Sequence, residues 1–182
     1  MVKVALLLLM SLRGNPILYQ GEELGLPQAE VPFEKLQDPE AIANWPLTLG
    51  RDGARTPMVW DDSADAGFGA DEGWLPVANE HRALHADGQR VNPASILNWT
   101  KRVIALRRAT PALARGEIAL SSEEGDLLAF ERRLGEQRIV CLFNLTDRAL
   151  PRGRFTGGTT LIELGGVEAD SLPPHSAILL EM

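Results

Sequence analysis

The sequence predicts a mixed fold, in which an α/β segment is followed by a small, antiparallel all-β domain. Asn92 and Pro93 stand before apolar residues at helical spacing, and this arrangement favours a helix that starts with an Asn cap. Residues 17–20 are mostly apolar, which is typical of a short parallel strand buried on both faces. After Gly116 the chain changes to short strand-like runs separated by turn-forming residues.

The predicted helix ends before Thr110 and Pro111, because a proline cannot continue it. Arg107 and Arg108 fall in its last turn, where the helix macrodipole favours basic residues. We therefore expect both arginines on the polar surface of the helix, without a ligand. We expect Trp99 to pack in the core.

The C-terminal region reads as a small antiparallel sandwich, because several short strands alternate with turns. The predicted strands cover residues 117–120, 127–132, 138–143, 159–163 and 177–180. The region offers no acid/base pair, no phosphate-binding loop and no set of metal ligands. A structural role is therefore the better expectation for it.

The N-terminal apolar run, residues 4–10, admits two interpretations. It follows Met1, Val2 and Lys3 and so resembles an export signal, but no small-residue cleavage site follows it. It is also much shorter than the roughly 20 residues that cross a bilayer. We favour a core helix that ends near Gly14, with Pro16 just beyond it.

Composition excludes several classes of function. The chain has 182 residues and a formal net charge of −7, which argues against nucleic acid or an anionic membrane as a partner. A single cysteine, Cys141, excludes an intrachain disulfide, and its apolar neighbours predict a buried core residue. His81 and His85 form an i,i+4 pair without a carboxylate-bracketed motif, so we expect surface histidines rather than zinc ligands. We expect no metal and no cofactor.

Residues 27–94 form a long, proline- and glycine-rich excursion that the sequence predicts to be mostly loop. A short helix is expected at residues 38–43, with Asp38 as its cap and Pro39 at its first position. Within the excursion, residues 50–60 have the sequence GRDGARTPMVW and predict a structured loop. Its two arginines either shape a polar pocket or pair with the acidic neighbours Asp61 and Asp62, and the spacing favours neither.

Four segments resemble one family when they are taken together. They are residues 16–25, PILYQGEELG; residues 36–39, LQDP; residues 50–60; and residues 73–77, GWLPV. Their order and sequence are similar to the last barrel strand and following loop of bacterial α-glucosidases of the α-amylase superfamily, the oligo-1,6-glucosidase and maltose-cleaving group. With the flanking helices, the resemblance covers nearly the whole chain.

The resemblance implies a particular architecture. Members of this family open with a complete (β/α)8 barrel, and this chain resembles only their C-terminal third. Residues 1–112 then correspond to the end of the barrel, with its last strand, a long loop and its last helix. Residues 113–182 correspond to a C-terminal antiparallel β-sandwich domain.

The resemblance also implies the chemistry. The family hydrolyses terminal α-linked glucose with retention, using an Asp after strand four, a Glu after strand five and a stabilising Asp after strand seven. No motif in this chain matches those carriers, so we assign it no catalytic residue and expect it to be inactive alone. We expect it to act on α-glucoside oligosaccharides together with the missing N-terminal barrel segment, in the cytoplasm or, less favoured, the periplasm. The alternative is a non-catalytic carbohydrate-binding or structural module.

Three residues are implied as substrate-binding. In the family, one arginine of the loop pairs with an aspartate from an early strand and closes the pocket for the terminal glucose. Arg55 and Arg51 are the two candidates here, and the sequence does not decide between them. Trp74 either lines the leaving-group side of the cleft or packs in the core.

Three carboxylates near the expected site have more modest interpretations. Asp52 is expected to order the loop through bonds to backbone amides. Glu22 and Glu23 stand at the expected rim of the barrel, where active sites of this fold lie. We favour bonds from both to loop amides over a catalytic role.

Overall fold

The computed structural model describes residues 1–48, 50–69, 73–121 and 125–182. Position 49 and positions 70–72, within the predicted loop, and positions 122–124, within the predicted β domain, lie outside the described residues. The chain forms two compact units, one joining Met1–Ile17 to Thr100–Met182 and the other comprising Leu18–Trp99. The domain boundary expected after residue 112 stays a prediction.

The described residues form short helices and an antiparallel β domain. The helices are α1 Val2–Ser11, α2 Pro39–Ala43, α3 Asn79–Arg82, α4 Ala86–Val91, α5 Ile96–Ala109 and α6 Pro111–Arg115. The strands are β1 Glu117–Ser121, β2 Leu128–Leu134, β3 Gln137–Asn144, β4 Leu150–Pro151, β5 Thr159–Leu164, β6 Ser171–Leu172 and β7 Ser176–Glu181. Three single turns of 3₁₀ helix lie at Glu22–Leu24, Phe33–Lys35 and Asp52–Ala54.

The β domain confirms the antiparallel prediction. Five strands form one sheet in the order β1-β2-β3-β7-β5, and β4 pairs with β6 in a second sheet. All five predicted strands are present, with ends that move by one or two residues. Strands β4 and β6 were not predicted, because each has only two residues, too few to show an alternating pattern.

One face of the large sheet packs against the small sheet. Its buried cluster takes Val140 and Leu142 from β3 and Leu180 from β7, together with Leu150 of β4 and Leu172 of β6. Alternate residues of a strand point to the same face, so this spacing defines one apolar layer between the two sheets.

The opposite face of the large sheet packs against helices α1 and α6. Ile139, Cys141 and Phe143 occupy that face of β3 and are fully buried. Both faces of β3 are therefore covered, and the strand is buried continuously from residue 139 to residue 144. Cys141 is the core residue that the sequence predicts, and burial raises the pKa of its thiol.

Two buried arginines bind the carbonyl end of α1. The Arg107 guanidinium donates to the carbonyl oxygens of Met10 at 2.6 Å, Leu12 at 2.9 Å and Gly14 at 2.6 Å. The prediction that Arg107 lies on the surface is therefore wrong. A helix leaves its last carbonyl groups without backbone partners, and Arg107 donates to one of these, that of Met10, and to two carbonyl groups of the segment that follows the helix. Desolvation lowers the pKa of Arg107.

Arg132 of β2 completes this arrangement from the sheet. Its side chain is fully buried and donates to the carbonyl oxygens of Ser11 at 2.5 Å, Gly116 at 2.8 Å and Glu117 at 3.3 Å. Desolvation and the nearby Arg107 charge lower its pKa. Helix α1, the start of β1 and strand β2 are thus joined by one side chain.

Helix α5 begins later than predicted. The Ser95 hydroxyl accepts from the Asn98 amide at 3.1 Å, which is the geometry of a helix cap. The Asn92 side chain instead accepts from the Ala94 amide at 2.9 Å and caps a separate turn. The prediction of Asn92 and Pro93 as the helix start is therefore wrong by three residues. Trp99 is buried in the core, as expected.

The predicted strand at residues 17–20 does not form. No strand is assigned there, and the Ile17 side chain is 81% exposed. A strand is stable only when neighbours accept its backbone hydrogen bonds, and none of the described residues pairs with this segment. In the described part of the chain, no helix has the length and apolar character needed to cross a membrane.

The excursion over residues 27–94 holds more helix than predicted. Helix α2 is confirmed, with the Asp38 side chain accepting from the Glu40 amide and proline at the first position. Helices α3 and α4 were not predicted, and the loop prediction is wrong there. Gly88 lies inside α4 and weakens its helical signal, whereas the His85 Nδ1 atom accepts from the Gly88 amide at 3.1 Å and caps the helix.

Replacing Arg132 with methionine tests the buried arginine. Methionine keeps the apolar bulk but leaves the buried carbonyl oxygens of Ser11 and Gly116 without this donor, so Arg132→Met should lower the free energy of unfolding by roughly 2–4 kcal/mol. The matched control is Arg133→Met, because the neighbouring Arg133 side chain is 62% exposed. Urea denaturation should show a change within about 0.5 kcal/mol for the control. Equal losses for the two variants would contradict this role.

Candidate functional site

A pocket of about 550 Å³ lies within the second unit. Three segments form its walls: the turn at residues 19–28, the loop at residues 50–56, and helix α3. The lining residues are Tyr19, Gln20, Glu22, Leu26, Pro27, Gln28, Gly50, Arg51, Gly53, Ala54, Arg55, Thr56 and His81. The loop that the sequence analysis singled out therefore forms one wall of the pocket.

The loop is fixed by an ion pair between Arg51 and Asp38. The Arg51 Nε and Nη2 atoms donate to the two Asp38 carboxylate oxygens at 2.9 and 2.7 Å, and the Arg51 amide donates at 2.8 Å. The Asp38 side chain is fully buried, whereas the Arg51 side chain is 61% exposed. The same carboxylate caps helix α2, so the loop and the helix share one anchor. Pairing with Asp61 or Asp62 is therefore not what Arg51 does.

These contacts shift the pKa values of both partners. The side-chain and backbone hydrogen bonds from Arg51 hold the pKa of Asp38 well below its ordinary value. The same bond and the negative charge of Asp38 raise the pKa of Arg51. Asp61, one of the two acidic partners considered in the sequence analysis, instead accepts hydrogen bonds from the hydroxyl and amide of Ser63.

Asp52 orders the loop from the inside, as expected. Its buried Oδ2 atom accepts from the amides of Gln37 at 2.6 Å and Asp38 at 2.8 Å. The loop also contacts the segment that follows the turn at residues 19–28, because the Ala29 amide donates to the Gly53 carbonyl oxygen at 3.0 Å. A side chain at Gly53 would place its Cβ only 2.2 Å from the Ala29 carbonyl oxygen, so this approach requires glycine.

Arg55 differs from Arg51 in its surroundings. It lines the pocket and is partly buried. Within residues 1–48, 50–69, 73–121 and 125–182, no acceptor binds its guanidinium group. The structure thus brings both candidate arginines to the pocket, and of the two only Arg51 has a carboxylate partner among the described residues.

Trp74 does not pack in the core. Its side chain is 63% exposed, and it is outside the set of pocket-lining residues. The packing alternative is therefore wrong, because an indole buried in the core would be largely covered. Its binding role stays a prediction.

The two glutamates after residue 20 bind loop amides, as favoured by the sequence analysis. The Glu22 carboxylate accepts from the Tyr19 amide at 3.0 Å, and the Glu23 carboxylate accepts from the Gly21 amide at 2.9 Å. Among the pocket-lining residues that the structure describes, only Glu22 carries a carboxylate.

His81 is a pocket residue that the sequence analysis missed. It was expected on the surface, but its side chain is only 2% exposed, and that expectation is wrong. Its ring lies between the Pro27 carbonyl oxygen and the Thr56 hydroxyl. Local sequence gave no signal for this, because both partners are distant along the chain. Among the described residues, no group of three His, Cys, Asp or Glu side chains could hold a metal ion.

The chain belongs to the α-amylase family. The family model described as "Alpha amylase, catalytic domain" matches residues 1–116. One relative is the probable α-glucosidase of Rhizobium meliloti (strain 1021), with 49% identity over 142 residues, covering 78% of this chain and 26% of the relative. Another is maltase A1 of Drosophila melanogaster, with 34% identity over 144 residues, covering 76% of this chain and 25% of the relative.

Solved structures agree with this assignment. The crystal structure of the α-glucosyl transfer enzyme XgtA matches with a TM-score of 0.88 and 38% identity, covering 99% of this chain and 35% of that enzyme. The trehalulose synthase MutB of Pseudomonas mesoacidophila MX-45 matches with a TM-score of 0.82 and 26% identity, covering 99% of this chain and 38% of that enzyme. The chain therefore shares the fold of part of these enzymes and spans about a third of their length.

The acid stability of the loop tests the Asp38 anchor. The pKa of Asp38 is depressed in the folded protein, so its ionised form stabilises the fold above the unfolded-state value of about 3.9. As the pH falls below about 4, the unfolded chain takes up this proton first and the contribution is lost. Asp38→Asn should therefore be less stable than the unsubstituted chain at pH 7, and the difference should narrow below about pH 4.

Urea denaturation at pH 7 and pH 3 measures both differences, and Asp62→Asn is the matched control. Asp62 is exposed, and none of the described residues bonds its side chain. The control should follow the unsubstituted chain at both pH values. A gap between Asp38→Asn and the unsubstituted chain that stays constant with pH would count against the ion pair.

Proposed function

We propose that this chain forms the C-terminal part of a retaining α-glucosidase that releases terminal α-linked glucose from malto- or isomalto-oligosaccharides. The relatives named as α-glucosidase and maltase support the reaction class. Residues 1–112 would supply the last strand, long loop and last helix of a (β/α)8 barrel, and residues 113–182 the C-terminal β domain. The segment at residues 17–20 would become a strand once barrel neighbours accept its hydrogen bonds.

The guanidinium group of Arg55, which no acceptor among the described residues binds, carries this proposal. Because Asp38 already binds the Arg51 guanidinium at two points, and no acceptor in the described part of the chain binds that of Arg55, Arg55 would be the arginine that takes part in the glucose pocket. A guanidinium group presents a planar fork of donors that matches a carboxylate and sugar hydroxyl groups. A carboxylate from another barrel strand would pair with Arg55 and close the far end of the pocket.

The surroundings of Arg55 fit this role. Removing a lone charged group from water costs several kcal/mol when no partner compensates it. Arg55 is only partly buried here, so water can still solvate its charge in the absence of that partner. When the pocket closes around a sugar, the same group would be shielded from water and its bonds would strengthen.

The carboxylates of the reaction would come from outside this chain. Retaining glycoside hydrolysis uses two carboxyl groups about 5–5.5 Å apart. Among the described lining residues, only Glu22 carries a carboxylate, and that group already accepts from the Tyr19 amide. The chain would therefore contribute pocket walls and Arg55, and the missing barrel segment would contribute the nucleophile and the acid/base.

Trp74 is proposed to meet the leaving-group part of the substrate. Its exposed indole offers a flat apolar face, and such faces pack well on sugar rings. It lies outside the pocket-lining set, so it would contact a sugar beyond the terminal glucose rather than the glucose itself.

A chimeric enzyme tests the function. In this chimera, the chain replaces the matching segment of the R. meliloti relative, which is 49% identical to it and therefore offers compatible contacts. The chimera should release glucose from maltose or isomaltose, whereas the isolated chain should release none. Arg55→Ala should lower kcat/KM of the chimera by about 10²-fold, as expected when a charged hydrogen-bonding group is removed from a closed site.

The matched control is Arg90→Ala, because Arg90 is an exposed arginine that pairs with Asp87 outside the pocket. This variant should keep the kcat/KM of the parent chimera. A chimera that unfolds cooperatively but has no activity, or one that tolerates Arg55→Ala, would overturn the proposal. Glucose release by the isolated chain would overturn the part that places the catalytic carboxylates elsewhere.

A further inference from the structure

The buried His81 ring bridges two walls of the pocket. Its Nε2 atom lies 2.7 Å from the Pro27 carbonyl oxygen, and its Nδ1 atom lies 3.3 Å from the Thr56 hydroxyl oxygen. Pro27 and Thr56 both line the pocket, from the turn and from the loop respectively. One imidazole thus joins Pro27 and Thr56, which lie 29 positions apart in the sequence.

The chemistry of the partners fixes the direction of these bonds. A carbonyl oxygen can only accept, so the proton lies on Nε2 and is donated to Pro27. In the neutral ring Nδ1 is then an acceptor, and it receives the hydrogen bond of the Thr56 hydroxyl. Both ring nitrogens are therefore used, and the buried ring leaves no polar atom unsatisfied.

Thr56 is held on both sides. Its hydroxyl binds His81, and its carbonyl oxygen accepts from the Gln20 side-chain amide at 2.9 Å. Thr56 itself is buried, and it directly follows Arg55 in the chain. Because adjacent residues share a peptide plane, clamping Thr56 restricts the direction in which the Arg55 side chain leaves the backbone.

We propose that His81 is a positioning residue, which aims the Arg55 guanidinium into the glucose pocket by binding Thr56 and Pro27. This inference rests on the proposed function, because it concerns how the same pocket binds its sugar. As a positioning residue, His81 would not contact the substrate itself. Its effect passes through the backbone at residues 55 and 56, and it sets how well Arg55 is oriented before the sugar arrives.

Two substitutions in the chimeric enzyme break the bridge from opposite ends. His81→Phe removes both hydrogen bonds while keeping a ring of similar size. Thr56→Val removes only the hydroxyl, retains the branched shape, and leaves the bond from Gln20 to the backbone intact. Each variant should raise KM for maltose on the order of tenfold, with a much smaller change in kcat, because a misaimed arginine weakens sugar binding.

A double-mutant cycle separates positioning from stability. In a background that already carries Arg55→Ala, neither His81→Phe nor Thr56→Val should raise KM further, because the group they position is gone. The matched control is His85→Phe, four residues along the chain. His85 caps helix α4 and does not line the pocket, so KM should stay that of the parent chimera.

The outcomes distinguish this inference from the proposed function. If Arg55→Ala raises KM but His81→Phe and Thr56→Val do not, the positioning role is overturned and the function stands. Variants that lower only the melting temperature, or whose effects on KM multiply with that of Arg55→Ala, also overturn it. A folded chimera whose kcat/KM is insensitive to Arg55→Ala overturns the proposed function itself.

Discussion

The buried carboxylate of Asp38 is the group on which the geometry of the pocket loop depends. It caps helix α2, accepts the Arg51 amide and binds the Arg51 guanidinium at two points. Asp52 adds a second carboxylate that accepts two backbone amides from the segment before the helix. Charged acceptors bind backbone donors strongly, so an irregular loop without strands is held in one conformation.

This anchoring gives the two loop arginines different roles. Arg51 is committed to Asp38, and its charge is already neutralised. Arg55, four positions later, faces the pocket without an acceptor among the described residues. The ion pair of Arg51 orders the loop backbone before a ligand binds. Arg55 can therefore bind a ligand with little further loss of conformational entropy in the loop. The position of the Arg55 side chain therefore depends on the contacts that order the whole loop.

The sequence predicted the elements whose signals are local. The five main strands, helix α2 with its Asp38 cap, and the buried Cys141 all follow from spacing, turns and capping residues. What it missed depends on distant contacts. Arg107 and Arg132 can be buried because they donate to carbonyl oxygens at the end of α1. His81 can be buried because its ring forms hydrogen bonds with Pro27 and Thr56. No local pattern encodes such partners.

We propose that Arg55 pairs with a carboxylate supplied by the rest of the barrel, whereas Arg51 stays bound to Asp38 within the loop. The most direct measurement is a crystal structure of the chimeric enzyme with bound glucose. In that structure the Arg55 guanidinium should lie within about 3.2 Å of a carboxylate of the relative's barrel, beside the sugar, and Arg51 should still bind Asp38. A structure in which Arg51 leaves Asp38 for the sugar, or in which Arg55 points away from it, would contradict the claim.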